Sequence, residues 1–184
     1  MTNEIIEKKY VTPVGRLSYP HILTKNDGGM FPSGKYEAIL LIDKEEDLSD
    51  LKAKLQAALD EQFGAGKLPL AKLKHPVIRD GDEKGGDYEG CWYIKAKGDL
   101  KPTVVGPDPK IVLDEEQAKK YVYGGQNAKL SVGIYAYDKK GSKGVGLSLR
   151  HVQILMGGAP FGTGVTSTPD EDFKDETDGM EVPF

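Results

Sequence analysis

The most regular alternating stretch of this 184-residue chain is Lys129-Leu-Ser-Val-Gly-Ile-Tyr-Ala-Tyr137. Every second residue from Leu130 to Ala136 is apolar, and the residues between them are polar, aromatic or glycine. Successive side chains of a β-strand point to opposite faces, so this pattern places the apolar set on an inner face. The stretch therefore predicts a half-buried strand whose outer face carries Tyr135 and Tyr137.

The residues after this strand predict a hairpin and a second long strand. Residues 138–144 form a turn that contains lysine and glycine, and residues 145–156 resume the alternation. Apolar residues occupy odd positions in the first half of this second strand and even positions in its second half. The phase changes near Arg150 and His151, which predicts a β-bulge at that point.

Three further strands and two helices are predicted before the hairpin. The strands cover residues 10–20, 34–42 and 91–97, and the helices cover residues 44–63 and 115–121. The longer helix has capping-box spacing between Asp43 and Glu46, one stripe of leucines and a stop at Gly64. Asp114 is the predicted N-cap of the shorter helix. The long segment 64–90 is predicted to be a loop that is either functional or flexible.

These elements favour a mainly β fold. Five main strands, one prominent helix and no alternation of strands with helices are typical of a small barrel. We predict a five-stranded antiparallel oligonucleotide-binding (OB) barrel over residues 1–156, although its main helix comes earlier than such folds usually place it. The length suits a single domain of this kind.

Several classes of protein are disfavoured by the sequence. A single cysteine, Cys91, excludes an internal disulfide, and no apolar run or signal-peptide core predicts a membrane or secreted protein. The three histidines are scattered, and none stands near Cys91 at the spacing of a metal site or a catalytic pair. The acidic cluster at residues 80–83 offers too few ligands for a hard cation. No enzymatic activity, metal or cofactor is therefore predicted.

Residues 169–184 form a strongly acidic segment. They carry seven carboxylates and one lysine, whereas the whole chain has a net charge of −4, so residues 1–168 carry a net +2. Such a segment cannot bury enough apolar surface to offset its ordering entropy, and it is predicted to be a disordered tail after a flexible, glycine-rich linker at residues 157–168. The acidic residues are Asp170, Glu171, Asp172, Asp175, Glu176, Asp178 and Glu181.

The acidic tail also contains an apolar group, Met180, Val182, Pro183 and Phe184. Three interpretations stay open. The tail could be a solvating terminus, or a linear motif whose Phe184 fills a partner's pocket while the acids steer it toward basic surfaces. It could also lie in a basic groove of its own body and imitate nucleic-acid phosphates.

Aromatic rings and cations alternate on the outer faces of two predicted strands. Binding of single-stranded nucleic acid without sequence preference needs rings that stack on bases and cations that follow the phosphates. Tyrosine and lysine are also ordinary residues of a solvent-facing strand, which is the alternative interpretation. The candidate DNA-binding residues are Tyr93, Lys95, Lys97, Tyr135, Tyr137, Lys139, Lys140 and Lys143, with Arg16, Lys35 and Arg150 as extensions of the groove.

The order of these motifs resembles the phage-encoded single-stranded DNA-binding proteins of the T7-like type. The resemblance covers most of the body and rests on short motifs in sequence order. They are Arg16-Leu-Ser-Tyr-Pro20, Gly34-Lys-Tyr36, Leu40-Leu-Ile-Asp-Lys44, Arg79-Asp-Gly-Asp82, Tyr93-Ile-Lys-Ala-Lys97, Lys101-Pro102, Tyr123-Gly-Gly125, Tyr135-Ala-Tyr137, Lys143-Gly144 and Leu149 to Gln153, followed by the tail with Phe184. The resemblance implies an OB fold, cooperative coating of single strands, and a tail that binds replication proteins. It implies groove roles for Lys95, Lys97, Tyr135 and Tyr137.

The predicted function is therefore binding and protection of single-stranded DNA in phage replication and recombination, in the cytoplasm of the infected bacterium. The acidic tail is expected to recruit a polymerase, helicase or nuclease and to compete with DNA. Whether the protein forms a homo-oligomer is left open, and no membrane partner is expected. The alternatives are a phage structural or adaptor protein that docks through its tail, and a nuclease, which would need a carboxylate metal cluster.

Overall fold

The computed structural model describes residues 8–162 of the chain. Within this part, the chain forms one eight-stranded sheet, two α-helices and two short 3-10 turns. The strands are β1 (Lys9–Val11), β2 (Gly15–His21), β3 (Tyr36–Asp43), β4 (Arg79–Asp80), β5 (Cys91–Gly98), β6 (Thr103–Val105), β7 (Asn127–Lys139) and β8 (Ser142–Ile154). The helices are α1 (Ser49–Phe63) and α2 (Glu115–Tyr121), and the 3-10 turns cover Leu70–Lys72 and Gly86–Tyr88.

Five of the strands pair in a closed ring. β7 pairs with β2, β2 with β3, β3 with β5, and β5 with β8, which pairs in turn with β7. All of these joins are antiparallel except the one between β5 and β8, where Lys97 lies beside Ser148 in a parallel pairing. A five-stranded ring with such crossovers is the OB architecture, and the predicted fold class is confirmed. At this one join the structure departs from the predicted antiparallel pairing, because alternation along single strands does not reveal the relative direction of two strands.

The interior of the ring and helix α1 share one hydrophobic core. The predicted inner face of β7 is confirmed, since Leu130, Val132 and Ile134 are all buried. The leucine stripe of α1 is also confirmed, and Leu55 is only 1% exposed. Burial of one such side chain contributes roughly 1.5–3 kcal/mol. Helix α1 ends as predicted at Gly64, whose φ of 101° favours glycine.

The first predicted strand, residues 10–20, is divided into β1 and β2. β1 pairs with β7, and β2 pairs with both β7 and β3. Between the two strands the Thr12 hydroxyl accepts a hydrogen bond from the backbone N–H of Leu130. At Gly15 the chain passes so close to β3 that an added Cβ would collide with the carbonyl oxygen of Leu41. Pro20 does not stop β2, because it lies within an irregularity of the β2–β3 pairing.

Helix α1 begins at Ser49, five residues later than the sequence predicts. The predicted capping box between Asp43 and Glu46 is wrong, because residues 44–48 form turns before the helix. The Asp43 carboxylate accepts from the N–H of Glu45, which is two residues away and not helical. The structure instead shows a capping box on α2, where Asp114 and Gln117 each accept from the other's backbone N–H.

The β7–β8 hairpin is longer and tighter than predicted. Its turn consists of Lys140 and Gly141, with φ values of 52° and 83°, and both long strands run directly into it. Positive φ at both central residues defines a type I′ turn, whose twist suits a β-hairpin. The predicted bulge is confirmed: Ser131 pairs with His151 and Val132 with Leu149, which leaves Arg150 unpaired.

Residues 157–162 lie against the body, although the sequence predicts that the flexible linker starts at residue 157. The N–H of Gly158 donates to the Gln126 side chain, and the N–H of Phe161 donates to the carbonyl of Gly124. The Tyr123 hydroxyl donates to the carbonyl of Gly158. These contacts use mostly backbone groups, which leave no trace in the composition of the segment.

No helix between residues 8 and 162 combines the length and the apolar character that crossing a bilayer requires.

Candidate nucleic-acid interface

One groove on the outside of the barrel collects six of the predicted DNA-binding residues. It has a volume of about 590 Å³ and lies between β3, β5 and the β7–β8 hairpin, with residues 75–84 along one edge. The six are Tyr93, Lys95, Lys97, Tyr135, Tyr137 and Lys139. The two strands that carry them, β5 and β7, contribute to one surface because β8 lies between them and pairs with both.

The two tyrosines of β7 lie over glycines of β8. Tyr135 is paired with Gly146 and Tyr137 with Gly144. A Cβ added to Gly146 would stand 2.7 Å from the Tyr135 ring, and one added to Gly144 would overlap the ring of Tyr137. The ring centroids are 6.3 Å apart, and Tyr135 is 43% exposed. The glycines thus provide the space in which both rings rest on the sheet, with area left for a stacked base.

The third ring, Tyr93, is oriented by its neighbours. It meets Tyr88 edge to face, with centroids 5.1 Å apart at 86°. Tyr88 is buried, and its hydroxyl is hydrogen-bonded to the Ser18 hydroxyl at 2.7 Å. The Lys84 ammonium lies 4.2 Å from the Tyr88 centroid and 5.4 Å from that of Tyr93. This arrangement places a cation beside the ring and holds the ring in one orientation.

Lys97 sits among other cations on the groove floor. Partial burial, followed by repulsion from Lys95, lowers its pKa below the ordinary value, against the attraction of Glu37. Lys35 and Lys139 add weaker repulsion in the same direction. An anion that enters this group of like charges relieves their mutual repulsion.

Lys95 is positioned by a buried carboxylate. Its Nζ lies 3.0 Å from Oε1 of Glu37, which is 4% exposed, and the same oxygen accepts a hydrogen bond from the Asn26 side chain. Burial opposes ionisation of Glu37, but hydrogen bonds from Ser33, Lys95 and Asn26 outweigh it and lower its pKa. Glu37 therefore remains charged at neutral pH and anchors Lys95 and the β2–β3 loop.

The model of one protein family matches residues 8–182, almost the whole chain, and describes its members as "Enterobacter phage Enc34, ssDNA-binding protein". This chain belongs to that family. The predicted resemblance to phage single-stranded DNA-binding proteins is thereby confirmed.

Solved structures of phage proteins share the fold of this family member. The single-stranded DNA-binding protein of bacteriophage Enc34 in complex with single-stranded DNA is 22% identical with a TM-score of 0.70, over 84% of this chain and 90% of that one. A second structure of the bacteriophage Enc34 single-stranded DNA-binding protein is 24% identical with a TM-score of 0.67, over 90% of each chain. The single-stranded DNA-binding protein of bacteriophage T7 is 16% identical with a TM-score of 0.55, over 88% of this chain and 98% of that one.

A different similarity is found among curated proteins. The ankyrin repeat domain-containing protein 1 of Mus musculus is 30% identical over 110 residues, and that of Rattus norvegicus is 29% identical. The match covers 56% of this chain, and the chain spans about a third of the length of these relatives. Ankyrin repeats are built from pairs of helices, and the barrel described here consists mainly of strands.

Three cations that the sequence assigns to the groove of this Enc34 family member lie elsewhere. The Arg16 guanidinium donates to the carbonyls of Gly125 and Ala159 and stacks over Phe161, so it holds residues 157–162 to the barrel. Lys143 lies on the opposite face of β8, with its ammonium 5.1 Å from the Phe63 ring of α1. Arg150 lies near the other end of the hairpin, in a separate cavity.

The two remaining predicted cations, Lys35 and Lys140, are not among the residues that line the groove. Lys35 is close enough to influence the pKa of Lys97, and its ammonium forms an exposed ion pair with Asp99 at 3.2 Å. Lys140 forms the tip of the hairpin turn, next to Lys139.

The groove also contains cations from the segment 64–90, which the sequence predicts only as a loop. Arg79 lies in β4 and is paired with Tyr93, and Lys84 and His75 line the same edge. The only sequence signal for them is the length of the segment and its basic residues. The pairing of β4 with β5 cannot be predicted from the sequence, because β4 has only two residues and shows no alternation.

No three histidine, cysteine or carboxylate side chains of residues 8–162 are grouped so that they could hold a metal ion. Asp80 and Asp82, the acidic cluster noted in the sequence, both form ion pairs with Lys44. These contacts lower the pKa of both carboxyls and raise that of Lys44. Burial, followed by repulsion from Asp43, raises the pKa of the Cys91 thiol, which makes it a poor nucleophile at neutral pH. The predicted partner-binding acids and Phe184 lie outside the described residues.

Proposed function

We propose that this protein binds and coats single-stranded DNA without sequence preference during phage replication and recombination, in the cytoplasm of the infected cell. The observation that carries the proposal is the groove, where three tyrosines meet five cations, Arg79, Lys84, Lys95, Lys97 and Lys139. No carboxylate is among the residues that line it. In this role the protein protects the strand and catalyses no reaction.

In this proposal the aromatic rings bind the bases and the cations bind the phosphates. Unpaired bases stack on Tyr93, Tyr135 and Tyr137, which accept any base because every base has a flat face. The lysines follow the phosphates, and Lys97 gains most because an anion relieves the repulsion around it. A duplex presents its phosphates but keeps its bases stacked, so the rings favour single strands.

The acidic tail is proposed to recruit replication proteins and to compete with DNA for the groove. Seven carboxylates between residues 170 and 181 supply the charge that the groove attracts, and the body carries the opposite net charge. We expect removal of residues 169–184 to tighten DNA binding several-fold at low salt, because a competing anion is gone. The gain shrinks as salt rises, since the Debye length falls from about 10 Å at 0.1 M to about 3 Å at 1 M.

The test is fluorescence anisotropy with a labelled dT oligomer and a matched duplex at two salt concentrations. The proteins are the full chain, the chain without residues 169–184, and a control in which the seven tail acids become Asn or Gln. Single-strand-selective binding with a log–log salt slope of about −0.7 per neutralised phosphate supports the proposed binding. Equal affinity of all three proteins at low salt contradicts the competition. Absence of binding by every protein favours the adaptor alternative, and pull-down through the tail then tests it.

A further inference from the structure

The far end of the β7–β8 hairpin carries a second cationic cavity, separate from the groove. It has a volume of about 280 Å³ and lies where β1 and β6 flank the hairpin. Three of its lining residues are basic, Lys9, Lys129 and Arg150, and His151 stands beside them. None of its lining residues is a carboxylate, and none is a tyrosine, phenylalanine or tryptophan.

This cavity and the groove occupy the same outer face of β7. Lys129, Ser131, Gly133, Tyr135 and Tyr137 alternate with the buried residues of the strand, so their side-chain positions follow one another along one surface. At about 3.4 Å per residue, Tyr135 and Lys129 are roughly 20 Å apart along the strand. No large side chain stands between the cavity and the groove on this face, because Gly133 pairs there with Ser148.

The β-bulge determines which charges reach this face. Strict alternation would turn Arg150 and His151 to opposite faces, but both are exposed, and the next buried residue is Val152. The bulge thus adds one outward side chain to β8. The Arg150 chain extends along the surface toward the groove, since its Cδ lies 3.9 Å from where a Cβ on Gly133 would be.

The three cations of the cavity have no ion-pair partner within residues 8–162. The salt bridges of this part of the chain do not involve Lys9, Lys129 or Arg150. The Ser131 hydroxyl is buried and has no hydrogen-bond partner there. Three uncompensated cations beside an unsatisfied hydroxyl form an environment suited to an anion.

We propose that this cavity is a second DNA subsite, which holds backbone phosphates of the strand that leaves the groove. The proposal deepens the proposed function, on which it rests. Because no tyrosine, phenylalanine or tryptophan lines the cavity, it contributes mainly through charge and adds affinity only for strands long enough to reach it. Single-stranded DNA therefore follows the outer face of β7, with bases on the tyrosines first and phosphates on Lys129, Arg150 and Lys9 beyond them.

The experiment compares two lengths of dT oligomer, about 5 and about 20 nucleotides, near and beyond the limits of the 4–16 nucleotide range of OB folds. The variant carries Lys9→Ala, Lys129→Ala and Arg150→Ala in the full chain. The matched control carries Lys52→Ala, Lys67→Ala and Lys120→Ala, which remove the same charge outside the groove and the cavity. Circular dichroism and thermal unfolding establish that both variants fold.

We expect the cavity variant to bind the long oligomer at least tenfold more weakly than the control at low salt, with the short oligomer unchanged. Its salt slope for the long oligomer should be shallower by about 2, since three phosphate contacts at about 0.7 each are lost. Equal losses in both triple variants overturn the subsite while the proposed function stands. Tighter binding by the cavity variant also overturns the subsite. It would indicate instead that the cavity binds acidic residues of the protein itself. Failure of the unchanged protein to bind either oligomer overturns the proposed function and the subsite together.

Discussion

At the scale of the residue, the groove depends on matched pairs across the hairpin. Tyr135 and Tyr137 rest on Gly146 and Gly144, so the open faces of the rings require glycine on the facing strand. Lys95 is held by Glu37, whereas Lys97 is surrounded by like charge. These different settings give the two lysines different expected behaviour.

We expect Tyr135→Ala combined with Tyr137→Ala to weaken single-strand binding by roughly 1–3 kcal/mol for each stacked base. The salt slope should stay unchanged, because no phosphate contact is removed. Anisotropy titrations at several salt concentrations measure both quantities. Tyr19→Ala is the control, since that ring is 70% exposed and is not among the residues that line the groove. A folded double variant with wild-type affinity would refute the stacking role.

The lowered pKa of Lys97 leads us to expect that DNA binding depends on pH. Its pKa is lowered in the free protein, and a bound phosphate raises it again, so the complex holds more protons than the free protein between these two pKa values. Affinity should therefore fall as pH rises through the pKa of free Lys97, which lies below the ordinary value for lysine. Lys97→Arg should remove this part of the fall, because arginine stays charged. Identical pH profiles for both proteins would exclude Lys97 as the titrating group.

The alternation of side chains along a strand predicts well which face of the sheet a residue occupies. It does not predict contacts between residues that are far apart in the sequence. The outward positions of Tyr93, Lys95, Tyr135 and Tyr137 follow from alternation, and the groove contains all four. Lys143 is assigned to the groove because it is placed in a turn, where this alternation has no meaning. The strand already starts at Ser142, and this puts Lys143 on the other face. The contacts of Arg16 with residues 125–161 have no local signal.

At the scale of the element, the hairpin turn offers a test with two opposite signs. We expect Lys140→Asn to stabilise the protein by a few tenths of a kcal/mol to about 1 kcal/mol, because type I′ turns favour Asn-Gly. Gly141→Ala should destabilise it by about 1 kcal/mol or more, since φ of 83° strains any residue with a Cβ. Chemical denaturation measures both changes. Shifts of the same sign in the two variants would contradict the turn assignment.

The bounds of elements follow from the sequence where a local group determines them. Helix α2 begins after Asp114 as predicted, because its capping box is formed by residues within one turn. The start of α1 is missed, because Asp43 has the spacing of a cap but accepts from the N–H of Glu45 in a turn. The bulge at Arg150 is predicted, since it shifts the apolar pattern of β8 by one residue.

At the scale of the whole molecule, the strand count predicts a barrel, but the closure that makes the groove does not follow from any one segment. It depends on the join between β5 and β8, which are separated by β6, α2 and β7 in the chain. The short strands β4 and β6 each have two or three residues and carry no alternation that could be detected. Arg79 therefore escapes prediction, although it stands beside Tyr93 in the groove.

The join between β5 and β8 affects the local stability of the barrel with and without bound DNA. A single parallel pair, Lys97 with Ser148, closes the ring there, while the neighbouring joins extend over many residues. We expect this join to open more readily than the hairpin, so amide protons beside it should exchange earlier than those inside the hairpin. In the proposed complex a DNA strand that contacts both Lys97 and Tyr135 would span this join, so DNA binding should slow the exchange of these amide protons.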